Sequence, residues 1–546
     1  MVNIGIDFGS TYTMVSVFRD GRLKTVQPDG LTYSYPSMVA YDTNNGKYYF
    51  GAAARAKLGS QNTVVYRGFK MLLNQQMSQD NLIKRGYTGV NTPEHVTGLF
   101  LRFVIENSLR KLGEDKVGTL VLGAPECWFQ SLNTVDARGT LRELCAKMTD
   151  IVETVKIVSE PTNAAAFCVW NYEQDQTEDF KGRILVVDYG GGTLDTALVN
   201  VSHTGAGLEI KPELRAGVGE NQNHEIGKAG IAYQEAVVRT AIADTLGISP
   251  DEVLYDKRFN VLLKSFEEGL LTRSAEIEEI MSEYLLSPEG LEDESFDTFD
   301  YGGEDVEINY YQLYTCYMDV INPVLEEVLT QTTEDLPDQE NMHIALVGGF
   351  CNFYLVKKQI YDFFNIGTMD DRIRGMLREE ADRERAIAHG AALFAERVLS
   401  VCNVAQFSIG TYAIYSDGTL FNQYAINYGQ EIETDKIYFA RGEDGKPCPM
   451  FAMNIDKFLL NFGRRDSKGL TLRPKPAFAE KLRAVEHGPC ITIGFSLDVT
   501  DRLTVHVYNY DLDRLQADPS PVASIPLATL KDMFENTVLV SKGEEE

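Results

Sequence analysis

Arg183-Ile-Leu-Val-Val-Asp-Tyr-Gly-Gly-Gly-Thr-Leu-Asp-Thr-Ala-Leu-Val-Asn-Val201 holds two apolar runs, Ile184–Val187 and Ala197–Val201. Both are rich in Val and Leu and bounded by turn residues, so both read as β-strands. Between them lie Asp188, the triplet Gly190, Gly191 and Gly192, then Thr193 and Asp195. Three glycines allow positive φ and close approach of a ligand to the backbone. Successive N–H groups in such a turn form a nest for an anion, typically phosphate. Two carboxylates beside a phosphate repel it unless a cation stands between them. Mg²⁺, which takes oxygen ligands and keeps part of its water, suits that place. Alone, the stretch also fits a Gly-rich hairpin with solvated acids at its ends.

A second copy weighs against the blander reading. The chain opens Val2-Asn-Ile-Gly-Ile-Asp-Phe-Gly-Ser-Thr-Tyr-Thr-Met-Val-Ser-Val-Phe18. An apolar strand again ends in an acid, Asp7, then Gly9, Ser10 and Thr11 turn, and an alternating strand leaves through Tyr12. Two such turns, about 180 residues apart, suggest two similar lobes facing one phosphate chain. Asp7-Phe8-Gly9 also spells the metal-binding triplet of protein kinases, but no catalytic loop or Gly-rich loop precedes it.

A length of 546 residues suggests about three or four domains or subdomains. The net charge of -29 disfavours nucleic acid and anionic membrane as partners, because phosphate backbones need clustered Lys and Arg. It leaves room for a nucleotide, whose site needs only local donors and a metal. The eight cysteines are scattered without a Cys-x-x-Cys pair and read as reduced core residues of a cytoplasmic protein. A strand is under way by Ile4, which reads as no signal peptide. No apolar run approaches the roughly 20 residues a membrane helix needs.

Helical spacing is expected over 93–112, 134–149, 226–246, 258–286 and 311–331. Pro161 fits the first turn of a helix that starts at Glu160. Lys70 ends an apolar stretch, where a lone lysine is ordinarily a solvated charge. The acidic run 287–307 reads as a solvated edge. His343-Ile-Ala-Leu-Val-Gly-Gly-Phe-Cys351 reads as a buried strand ending in Gly348 and Gly349. Arg383–Ala395 reads as a helix with small residues on one side, on which His389 is a packing residue. Near residue 400 the composition shifts, and alternating segments from Phe407 to Tyr510 read as an all-β sandwich.

The ordered set of two strand–Asp–Gly hairpins, Glu160-Pro161-Thr162, Leu346-Val347-Gly348-Gly349 and the Gly390-Ala-Ala helix resembles the actin, sugar-kinase and heat-shock ATPase superfamily. Within it, the chain most resembles the seventy-kilodalton heat-shock, or DnaK-like, chaperone family. The resemblance implies a two-lobed actin-like α/β ATPase domain over 1–398 and a linker over 399–405. A β-sandwich for substrate would follow over 406–515, then a short extension over 516–546, with no helical lid. It implies ATP/ADP and Mg²⁺ as cofactors. Unfolded or extended polypeptide clients are the implied partners, with a co-chaperone or exchange factor beside them.

Residue by residue, the resemblance gives Asp7, Asp188 and Asp195 to the metal and Lys70 to the γ-phosphate. Glu160 and Thr193 would stand around metal and water. Gly9, Ser10, Thr11, Tyr12, Gly190, Gly191 and Gly192 would face the phosphates. Glu267, Ser274, Gly348, Gly349 and Asn352 would face the adenosine. A loose match puts Ile414, Ile437, Phe451 and Met453 in a peptide pocket.

The chain departs from the family in its cations. Leu270 and Leu271 stand where the adenosine grip has Lys-Arg, and Asn352 stands where an Arg meets the adenine. Each lost contact is worth on the order of 1 kcal/mol, so weaker ATP binding and less discrimination against GTP are expected. A coupling Arg is missing from its aligned place after Pro125, with Arg138 the nearest substitute, and the connector is Leu399-Ser-Val-Cys-Asn-Val404. Two rivals follow from the same features: a nucleotide-sensing interaction protein with little turnover, and a sugar-type small-molecule kinase.

Overall fold

The structure is a computed structural model. It describes residues 1–29, 32–73, 78–129, 137–174, 180–204, 207–218, 229–254, 257–333, 342–367, 372–373, 376–377, 380–401, 405, 408–414, 420–427, 429–433, 436–442, 444–451, 458–461, 470–472, 476–497 and 503–526. The chain divides into two units, Met1–Cys127 with Thr140–Ser400, and Trp128–Gly139 with Val401–Glu546.

Two sheets organise the first unit, and each is built on one of the acid–glycine hairpins. In the first, Val2–Phe8 pairs antiparallel with Tyr12–Arg19 and parallel with Val117–Ala124, which pairs parallel with Val152–Ser159. In the second, Gly182–Tyr189 pairs antiparallel with Leu194–Thr204 and parallel with Met342–Val347. Asp7 stands opposite Met14, and Asp188 opposite Asp195. The central strands are buried along nearly their whole length, as strands covered on both faces must be.

Two helices cross between these sheets. Glu160–Glu173 starts at Ser159, whose Oγ accepts from the Thr162 N–H at 3.3 Å, with Pro161 in the first turn. The second helix, Glu380–Ala395, carries the expected stripe of buried small residues at Ala386, Ala388, Ala391 and Ala392. A Cβ at Gly390 would run into the backbone of Asn163, and one at Gly5 into that of Ala392. His389 is buried, shares a hydrogen bond with Thr25 Oγ1 at 3.1 Å and meets the Phe167 ring edge-on. Burial, helped by Arg385, pulls its imidazole down to about 3, so it packs as a neutral ring.

Several expected elements differ in outline. The acidic run 287–307 forms a hairpin, Ser295–Asp300 with Asp305–Asn309, and buries Phe296, Val306 and Ile308 in the core. Alternation sends the acids outward and the apolar residues inward, which a count of charges conceals. The helix expected over 258–286 stops at Thr272 and resumes at Ser274. The helix expected over 311–331 breaks at Ile321, just before Asn322-Pro323, because proline cannot continue the hydrogen-bond ladder. The connector expected from residue 399 begins as a strand, Leu399–Val401, at the edge of the second sheet; Cys402–Val404 lie outside the described residues.

The second unit contains a four-stranded and a six-stranded antiparallel sheet. Ile409 and Ile426 from one, and Ile491, Ile493, Phe495, Val505 and Val507 from the other, share one buried cluster. The expected all-β stretch is interrupted by a helix, Pro476–Arg483, which adds Leu482 to that cluster. Pro in its first turn and the Ala, Glu, Lys, Leu and Arg that follow favour a helix over a strand. The six-stranded sheet runs past residue 515, since Ala523–Pro526 pairs with Leu503–Asp511. No helix among the described residues is long and apolar enough to cross a membrane.

The helix crossing gives a direct test of the packing. Gly390→Ala is expected to destabilise the protein by about 3 kcal/mol or more, because a methyl there must displace backbone rather than a side-chain tip. The shift of the urea unfolding midpoint measures it, and Gly367→Ala, which meets open space, serves as the control.

Candidate functional site

The two hairpin turns meet. A Cβ on Gly191 would lie 2.5 Å from Thr11 Oγ1, and one on Gly192 would strike Ser10 Oγ. The expected lobes therefore face each other through Ser10, Thr11 and the glycine triplet. The Gly190 and Gly191 carbonyls accept from the N–H groups of Gly230 and Ile231, at 3.2 and 2.8 Å. The Gly9 carbonyl accepts from Ser37 Oγ at 2.6 Å. With the carbonyls turned to these donors, the N–H groups of Gly191 and Gly192 have no hydrogen-bond partner among the described residues. That is the arrangement of an anion nest.

Beneath the turns lies a buried cluster of charge. Lys70, on the short helix Phe69–Leu72, donates from Nζ to Glu160 Oε1 at 2.6 Å, over the Phe8 ring. The two side chains are 3% and 6% exposed, which overturns the reading of Lys70 as a solvated charge. Glu160 is set by the first turn of its helix, where a carboxylate is favoured by the exposed N–H groups. Asp7, Asp188 and Asp195, from the ends of three strands, act on the same pair. Asp195 Oδ1 accepts from the Cys127 N–H at 3.3 Å, while its Oδ2 is buried without a partner. Thr193 is buried beside it.

The electrostatics follow from four carboxylates sharing one buried ammonium. Burial, then Glu160, pushes Asp7 up to about 7 and Asp195 up to about 8. Asp188 is driven well above the carboxylate range by burial and by Glu160, Asp195 and Asp7. Burial pulls the Lys70 ammonium down, but Glu160, Asp7 and Asp195 outweigh it and leave it above its usual value. A dication would reverse every one of the upward shifts. No group of three His, Cys, Asp or Glu among the described residues is arranged to hold a metal ion. Buried carboxylates short of positive charge are the donor type that Mg²⁺, with water between itself and them, would use. The orphaned Asp195 Oδ2 is the acceptor such a water would find.

The residues expected on the adenosine side are only partly brought together. Gly348, at φ +82°, packs against Asp188 Oδ1 and the Tyr189 carbonyl, and Gly349 faces open space. Asn352 ends the short turn Gly349–Asn352 and accepts from Arg383 Nη1 at 2.9 Å. Glu267 is taken by Arg67 at 2.8 Å, Glu268 by Arg55 at 3.0 Å, and Arg55 also donates to Tyr12 Oη at 3.1 Å. Leu270 packs on the core, Leu271 is 67% exposed, and Ser274 is exposed at the start of its helix. Arg55, Arg67, Glu268 and Arg383 escaped the sequence reading, as none belongs to a motif. A basic residue on a helix of small residues, as at Arg383, was the one available signal.

The expected peptide-pocket residues fall on different sheets. Ile414 ends a strand of the four-stranded sheet. Ile437 packs over Gly494, and Phe451 pairs with Cys490, both in the other sheet. Met453 lies outside the described residues, as do the side chains of Ile414 and Phe451.

The buried pair makes a prediction about the ligand-free protein. Lys70→Ala leaves Glu160 buried beside three further acids and is expected to lower stability by about 3 kcal/mol. Adding Glu160→Gln to it should recover most of that loss, because it removes the uncompensated charge. Urea unfolding of the two variants measures both; an unchanged loss in the double variant would contradict the charge argument.

Residues 3–212 match the family described as Hsp70 protein. A heat shock cognate HSP70 protein of Trypanosoma brucei brucei is 25% identical over 416 residues, covering 71% of this chain and 55% of that protein. A chaperone protein DnaK of Metamycoplasma hominis is 29% identical over 226 residues, covering 41% of this chain and 34% of that protein. The chain thus spans between a third and about half the length of these relatives. Over residues 3–212, the chain is similar to the Hsp70 family.

Proposed function

We propose that the chain is an ATP-hydrolysing, chaperone-like protein that binds extended polypeptide segments, acting in the cytoplasm. The observation that carries the ATPase part is the Lys70–Glu160 pair, buried among Asp7, Asp188 and Asp195 below two facing glycine turns. Transfer of a phosphoryl group to water needs positioning and charge neutralisation more than covalent help. Bound Mg²⁺ would supply charge neutralisation and ordered water beside Asp7, Asp188 and Asp195. The N–H groups of Gly191 and Gly192, with the hydroxyls of Ser10 and Thr11, would hold the phosphates. Lys70, steadied by Glu160, would meet the charge that grows on the γ-phosphate. Glu160 and Thr193 would orient the attacking water.

Lys70→Ala is expected to retain ATP binding and to lower the single-turnover hydrolysis rate by about 10²-fold or more. The measurement is made well below the variant's unfolding temperature, with titration calorimetry for binding. Wild-type turnover in that variant would remove Lys70 from the chemistry.

The second unit supports polypeptide binding through its antiparallel sheets, whose edges can add a strand and whose neighbouring side chains can select one. The connector Leu399-Ser-Val-Cys-Asn-Val404 lacks the family's run of leucines, which argues for weak coupling between nucleotide state and peptide release, and affinity differences appear chiefly in the off-rate. A fluorescent apolar heptapeptide, followed by anisotropy and stopped flow on the full chain, should bind and should leave at nearly the same rate with and without ATP. Release triggered by ATP would contradict this account. Absence of binding would favour the interaction-protein reading, which draws its support from Leu270 and Leu271 on the adenosine-side helix.

A further inference from the structure

The helix Lys257–Thr272 offers no cation at Leu270 or Leu271, yet a cation does stand beside the same ligand edge. Arg383, on the helix Glu380–Ala395, donates from Nη1 to Asn352 Oδ1 at 2.9 Å. Asn352 closes the turn that begins at Gly348, and Gly348 rests on Asp188 Oδ1 at what would be 2.6 Å from a Cβ. Cys351, between them, donates its thiol to the Val187 carbonyl at 3.6 Å. These contacts fix the turn at the carboxyl end of the strand pair Gly182–Tyr189 and Met342–Val347. Ligands of open α/β sheets bind at that edge.

The sheet order decides which part of a nucleotide would lie there. Met342–Val347 flanks Gly182–Tyr189 on the side away from Leu194–Thr204. The glycine triplet, which turns between the latter two strands, and Lys70 mark the phosphate end. A ligand anchored there and extending across Asp188 and Tyr189 reaches the open space over Gly349 with its nucleoside. Arg383 touches this turn through Asn352 and has no carboxylate partner among the described residues. A guanidinium carries five donors; bonding to a neutral amide does not compensate its charge, and among the described residues donors remain beyond the one that Asn352 accepts from. Its planar fork also stacks on aromatic rings.

We infer that Arg383, seated by Asn352, is the cation that grips the nucleoside end of the bound nucleotide, replacing a grip that Leu270 and Leu271 cannot supply. This rests on the nucleotide-binding reading above. It also revises the expectation of a site poor in cations: Asn352 is the seat of an arginine from another helix.

Titration calorimetry with Mg·ADP and with Mg·tripolyphosphate tests it on the full chain. Arg383→Ala should weaken ADP about tenfold, a loss of about 1.4 kcal/mol, and leave tripolyphosphate unchanged. Arg383→Lys should recover only part, since a lysine keeps the charge but not the fork. Asn352→Ala should weaken ADP by a smaller factor, as the guanidinium loses its seat, again with tripolyphosphate unaffected. Unchanged ADP affinity in Arg383→Ala overturns the inference. Equal losses for ADP and tripolyphosphate also overturn it, because Arg383 would then act on phosphate. Failure of the wild-type chain to bind ADP would instead remove the nucleotide reading itself. Should Arg383→Ala fail to fold, the Lys and Asn352 variants read the same two ligands and decide the matter.

Discussion

Four carboxylates and one ammonium share a buried space where two sheets meet, and much of the first unit is arranged around that imbalance. Moving a single charge from water into the protein costs several kcal/mol even after relaxation. The Lys70–Glu160 pair offsets part of this. Asp7, Asp188 and Asp195 are left to be protonated, hydrated or neutralised by a cation, and their raised values express that choice. Backbone holds the acids in place. Asp7 and Asp188 end buried strands, Asp195 begins one, and Glu160 opens a helix capped by Ser159. Rigid elements of this kind position a site more closely than loops do.

The crossing of the helices Glu160–Glu173 and Glu380–Ala395 makes this placement possible. Their backbones approach so closely that Gly390 admits no side chain against Asn163. The first helix carries Glu160 into the charge cluster; the second carries Arg383 to the turn at Asn352. One tight contact, Gly390 on the Asn163 backbone, thus helps to fix both ends of the candidate site. A neutral His389 completes the packing, held to Thr25 and Phe167.

Both acid–glycine hairpins, the parallel strand ending at Gly348 and the helix start at Glu160 were legible because each is local. A run of Val and Leu, an acid and a glycine turn are read within ten residues. Lys70 was different. Glu160, 90 positions away, makes its burial intelligible, and a pattern of neighbours cannot report a partner at that range. The run 287–307 misled in the opposite way: its acids are numerous, but Phe296, Val306 and Ile308 decide its fold by facing inward. The helix Pro476–Arg483 was hidden by the alternating segments on either side of it.

Charge partners explain how a chain with a net charge of -29 could still handle an anionic ligand. Cations near the site are few, and most are spoken for. Lys70 is held by Glu160, Arg67 by Glu267 and Arg55 by Glu268. A paired cation presents a weaker field to a third group, since its partner's opposite charge lies within 3 Å of it. Lys70 escapes this limit only because three more acids and a low-dielectric surround leave the whole cluster in need of positive charge. Arg383 is in the other situation. Its partner is the neutral Asn352 amide, so its orientation is fixed while no carboxylate among the described residues pairs with it. Replacing an arginine by asparagine at position 352 therefore need not empty the site of positive charge. It can transfer that charge to a residue on a different helix, where no alignment of short motifs would look for it.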